Sequence, residues 1–69
     1  MTDVLNTPRL LTTEQVAEIL AMTPAALRQA RAAGEGPDFV RLGRRVRYLP
    51  ADVKRYISSN RRKAKRNGS

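Results

Sequence analysis

With 69 residues, 41% of them hydrophobic, the chain has room for one domain and a core of about a dozen apolar side chains. It carries a formal charge of +8 at pH 7 and no cysteine, which excludes disulfides and thiolate metal sites. No apolar run approaches the roughly 20 residues of a membrane span, and the first residues lack the pattern of a signal peptide, so a soluble, cytoplasmic protein is expected, and the lack of cysteine is compatible with a reducing compartment.

Residues 1–9 show no periodicity and read as a flexible arm; order should begin near Leu10 and Leu11. Thr12 followed by Gln15 is a capping box, in which each side chain satisfies a free backbone N–H at a helix start. A first helix is therefore expected from Thr13 to Leu20. Val16, Ile19 and Leu20 form its inward stripe with Ala17 beside them, and Glu14, Gln15 and Glu18 take the other face.

Thr23-Pro24 opens a second helix with an N-cap hydroxyl and a proline at the first helical position; Gly34 ends it. Only Ala21 and Met22 separate the first helix from this cap, so the two helices must turn sharply on each other. Leu27 and Ala30 make a narrow inward stripe over Pro24 to Ala33. Outward lie Pro24, Ala25, Arg28, Gln29 and Ala32, just after the cap at Thr23. Small residues let such a helix approach bases closely, and Arg28 and Gln29 match guanine and adenine edges in a major groove. The competing reading is an ordinary alanine-rich helix with solvated Arg and Gln.

After the loop Glu35 to Asp38 comes a hairpin rich in arginine, Phe39 to Tyr48. Two registers compete. Gly43-Arg44 suits a two-residue type II′ turn, because glycine tolerates the positive φ at the first central position. A three-residue loop, Gly43 to Arg45, instead pairs Leu42 with Val46 and Val40 with Tyr48, placing four apolar residues on one face and Arg41 with Arg47 on the other. Burial of one face usually decides register, so the three-residue loop is expected. Arg44 and Arg45 then form the tip, suited to a minor groove or flanking phosphate, while Arg41 and Arg47 contact the DNA backbone or brace the acidic part of the protein, Arg47 in an ion pair.

Leu49-Pro50-Ala51-Asp52 starts a third helix, with Asp52 near the positive end of the dipole. Val53, Tyr56 and Ile57 should be its buried stripe, Lys54 and Arg55 face out, and Ser58 to Asn60 is a stop. Residues 60–69 read as a disordered basic tail in which Arg61, Arg62, Lys63, Lys65 and Arg66 contact phosphate without sequence preference, or merely solubilise the chain. The whole is a mainly α fold with a small β-hairpin, a winged helix-turn-helix domain over residues 10–59.

Charge agrees with this division. Residues 1–40 hold three basic and five acidic residues, a net −2; residues 41–69 hold eleven basic residues against Asp52 alone, a net +10. Such asymmetry is the footprint of a polyanion binder, and nucleic acid is the commonest polyanion in a cytoplasm. A basic but merely solvated face is the alternative. No histidine or cysteine is present, and Asp52 is explained by its helix start, so no catalytic constellation, metal site or cofactor site is expected. Tyr48 and Tyr56 sit at core spacing and do not suggest a recombinase nucleophile.

The run from Leu11 to Leu20, Thr23 to Gly34, the Gly43 hairpin with Val46-Arg47-Tyr48, and Asp52-Val53 before Tyr56-Ile57 resembles the excisionase group of winged helix-turn-helix proteins. Excisionases are recombination directionality factors of temperate bacteriophages. The resemblance covers roughly Leu10 to Ile57 and extends to AlpA-like regulators and, more distantly, MerR-type DNA-binding domains. It implies a DNA-binding accessory factor for site-specific recombination and viral genome excision. Copies would bind side by side on repeated sites, bend attachment-site DNA, and direct a separate integrase toward excision. Two positions depart from the family pattern. Ala21 stands where glycine is common in the inter-helix turn, and because alanine in a left-handed turn costs about 1 kcal/mol a different turn is expected; Arg31 stands where a large apolar residue is frequent, which should leave the second helix more loosely anchored. A small transcriptional regulator of a phage or plasmid remains the main alternative, and a basic RNA-binding protein a third. The tail has no apolar face, which argues against a membrane partner.

Overall fold

The computed structural model describes residues 9–62; the arm expected up to residue 8 and the expected phosphate contacts Lys63, Lys65 and Arg66 lie outside them. The capping box at Thr12 forms as its spacing predicts. Gln15 N–H donates to Thr12 Oγ1 at 3.1 Å, and Thr12 N–H donates to Gln15 Oε1 at 2.9 Å. Helix α1 then runs Thr13–Ile19, one residue shorter than expected because Leu20 is its C-cap. Ala21 follows in the left-handed region at φ +57°. Its N–H donates to the Glu18 carbonyl at 3.1 Å and that of Met22 to the Ala17 carbonyl at 2.9 Å, the bond pair of a Schellman ending. The turn thus keeps the glycine-type conformation although its residue carries a Cβ.

Helix α2, Pro24–Ala32, is capped by Thr23, whose Oγ1 accepts from Ala26 N–H at 3.1 Å. It ends by the same device as α1, with Gly34 at φ +78° and Glu35 N–H donating to the Ala30 carbonyl at 2.7 Å. Here the left-handed residue is glycine and the conformation costs little.

The hairpin corrects the expected register. Strands β1, Val40–Leu42, and β2, Arg45–Arg47, pair antiparallel with Val40 opposite Arg47, Arg41 opposite Val46 and Leu42 opposite Arg45. The turn is the two-residue Gly43-Arg44, with Gly43 at φ +65°. Turn geometry prevailed because the premise of a buried apolar face does not hold: Leu42 is 53% exposed. Arg41 and Arg47 accordingly lie on opposite faces, and Arg45 belongs to a strand, not to the tip.

Leu11 and Tyr48 exchange backbone hydrogen bonds of 2.8 Å in each direction, so the residues before α1 add a short third rung to the hairpin's base. Helix α3, Pro50–Ser59, starts at the proline as expected, and Asn60 is its C-cap. Its inward stripe is narrower than predicted. Val53 is buried and Tyr56 half-buried, but Ile57 is exposed.

Leu11, Val16, Ala17, Leu27, Tyr48 and Val53 form the buried core, flanked by Ile19, Leu20, Met22 and Val46. Each fully buried aliphatic side chain contributes roughly 1.5 to 3 kcal/mol. These six come from the residue before α1, from α1, α2 and α3, and from the base of the hairpin, so one small cluster ties the three helices to the root of the wing. Three helices and a two-stranded antiparallel wing in this order make a winged helix-turn-helix.

Candidate nucleic-acid interface

Helix α2 presents the predicted face. Thr23, Ala25, Arg28, Gln29 and Ala32 are exposed, Pro24 is half-buried, and Leu27 alone on this helix is fully buried. The Thr23 oxygen accepts the Ala26 N–H at the cap, so this hydroxyl keeps its proton available for an outside acceptor. Arg28 reaches toward α1, where its Nη1 lies 3.9 Å from Glu14 Oε2 with side-chain exposures of 52% and 70%. An ion pair so long and so exposed adds little stability and leaves the guanidinium free to exchange partners. Sequence reading missed this contact, which pairs the first turn of one helix with the second turn of the next.

On the wing, Arg41, Gly43, Arg44 and Arg45 are exposed, and Arg44 alone among the arginines occupies the turn. Arg47 is half-buried, and its Nη1 donates to the Val46 carbonyl at 2.7 Å. The bond it makes is therefore to backbone, not the ion pair considered for it. From the register, Arg45 and Arg47 share a face with Val40 and Leu42, while Arg41 shares the other with Val46. The hairpin thus carries cationic groups on both faces and at its end, a distribution suited to phosphates on either side of an inserted ribbon. Arg61 and Arg62, just after α3, are exposed as well.

Arg31 is the residue whose role sequence reading mistook. It anchors α2 instead of loosening it. Its Nη1 donates to Thr13 Oγ1 at 3.2 Å and to Tyr48 Oη at 2.9 Å, and its Cζ lies 5.6 Å from the Phe39 ring centroid. The signal was present in the sequence: Arg31 follows Leu27 by four residues, on the inward stripe, where a charge requires partners.

Among the described residues, no group of three or more His, Cys, Asp or Glu could hold a metal ion, and no helix is long and apolar enough to cross a membrane. Comparison with curated proteins and with solved structures gives no match. Residues 10–61 match the helix-turn-helix domain family, which includes excisionase-like proteins and is typically non-enzymatic. That match spans most of the chain and agrees with the helix, turn, helix and wing described above; the protein belongs to the helix-turn-helix domain family, whose fold implies binding to double-stranded DNA.

Proposed function

We infer that this protein is an excisionase-type recombination directionality factor. Helix α2 enters the major groove, where Arg28 and Gln29 read base edges and Ala25 and Ala32 permit close approach. The wing lies against the neighbouring minor groove and its phosphates, with Arg44 foremost and Arg41, Arg45 and Arg47 behind it. Residues Arg61, Arg62, Lys63, Lys65 and Arg66 add phosphate contacts beyond α3. Copies occupy repeated sites side by side, bend the attachment-region DNA, and favour assembly of the excisive complex by a separate integrase.

The observation that carries the reading is the pairing of an exposed Arg28-Gln29 helix face with an arginine-tipped wing in one family-matched domain. The net +10 of residues 41–69 supports it as well. The test is footprinting on the attachment region beside an integrase gene, together with an excision assay using that integrase. Tandem, same-orientation protections and stimulated excision are expected. Protection of a single operator with altered transcription and no effect on excision would identify a regulator instead.

A further inference from the structure

The wing is too small to hold its own direction. Its strands have three residues each, and β1 is exposed along most of its length. An isolated two-stranded hairpin is at best marginally stable in water, so its aim must be set where it joins the body. Arg31 meets it at that place, and from both sides. Phe39 immediately precedes β1 and Tyr48 immediately follows β2. The Arg31 guanidinium donates to the Tyr48 hydroxyl at 2.9 Å and lies over the Phe39 ring with its Cζ 5.6 Å from the centroid, a cation–π contact, while those two rings lie 6.2 Å apart, tilted by 57°. Its other bond, to Thr13 at 3.2 Å, reaches the first residue of α1. One planar group on the inner side of α2 thus grips both roots of the wing and the start of α1.

We propose that Arg31 is a positioning residue for DNA recognition, which fixes the wing relative to α2 so that the two elements engage adjacent grooves of one duplex together. Planarity is what the task requires. A guanidinium can bond in its plane and stack on its face at once, which an ammonium cannot do. Arg31 itself lies half-buried with its guanidinium engaged by Thr13, Tyr48 and Phe39, so it acts through the wing. The Tyr48 ring is fully buried, and its hydroxyl has the Arg31 bond as its partner.

This inference rests on the two-groove reading above, and one experiment separates their failures. Dimethyl sulfate protection, on a duplex selected by the protein from a random pool, reports guanine N7 in the major groove and adenine N3 in the minor groove. Wild type should protect both. Arg31→Met, which keeps length and apolar packing, should retain N7 protection and lose N3 protection. Tyr48→Phe removes only the hydroxyl and should weaken N3 protection in the same direction; it decides the matter should Arg31→Met not fold by circular dichroism. Arg31→Lys should restore N3 protection only in part. Arg44→Ala should cost much less affinity when added to Arg31→Met than it costs in the wild-type protein, whereas a residue serving stability only would leave the cost of Arg44→Ala unchanged. Folded variants that keep both protections, or lose both alike, overturn the role of Arg31 and leave the two-groove reading standing. A wild-type protein that protects neither groove overturns that reading, and the role of Arg31 with it.

Discussion

Leu42 stands directly opposite Arg45 in the hairpin, with only Gly43 and Arg44 between them. Because the turn has two residues, one arginine occupies the apex and its neighbour is held in a strand. Arg44 is therefore the side chain best placed to reach beyond the ribbon. Arg44→Ala should weaken binding to many duplex sequences alike, and reduce the slope of log K against log salt by about 1. Titrations at several salt concentrations measure this. For the unaltered protein, about four to six neutralised phosphates give a slope of roughly −4 to −5.

Gly43 and Ala21 both have positive φ, +65° and +57°, but only one of them is a residue suited to it. Replacing Ala21 by glycine removes strain of roughly 1 to 2 kcal/mol and restores some unfolded-state entropy, so a net gain of about 0.5 to 1 kcal/mol is expected. The melting temperature should rise by about 2 to 8 °C in thermal denaturation. Gly43→Ala should do the opposite, losing about 1 kcal/mol. A Cβ there meets nothing within 4 Å, so that loss comes from backbone strain alone.

Thr12 and Gln15 satisfy each other's backbone N–H groups at the start of α1. Thr12→Ala should cost about 1 kcal/mol in urea denaturation. Gln15→Ala added to it should cost less than it does alone, since the two side chains form one unit. DNA affinity per folded molecule should be unchanged, because neither residue lies on the α2 face or the wing.

Helix starts and the position of the inter-helix turn were legible in the sequence because their causes are local, whereas the left-handed conformation that Ala21 keeps was not. A hydroxyl, a proline and a glycine at fixed offsets determine Thr12, Thr23, Pro24, Gly34 and Pro50 without reference to the rest of the fold. The hairpin register was not, because a long-range assumption entered: four apolar residues seemed to require a common buried face, and Leu42 has none to join. Ile57 failed for the same reason, since α3 meets the core chiefly through Val53. Arg31 was misjudged because its partners, Thr13, Phe39 and Tyr48, are scattered over 36 positions of chain and meet only in the folded state. Of the candidate interface, residue types on α2 and the wing could be read in advance. Their division between turn and strand, and the node that joins them, could not.

The division of labour proposed for α2 and the wing is decided by comparing Arg28→Ala with Arg44→Ala. Each variant's affinity is measured for the duplex that the wild-type protein selects from a random pool, and for a scrambled duplex of equal length. Arg28→Ala should lower affinity for the selected duplex by about 1 to 3 kcal/mol while changing the scrambled one little. Arg44→Ala should lower both by similar factors. If Arg44→Ala alters sequence preference while Arg28→Ala weakens both duplexes equally, the roles assigned to helix and wing are contradicted.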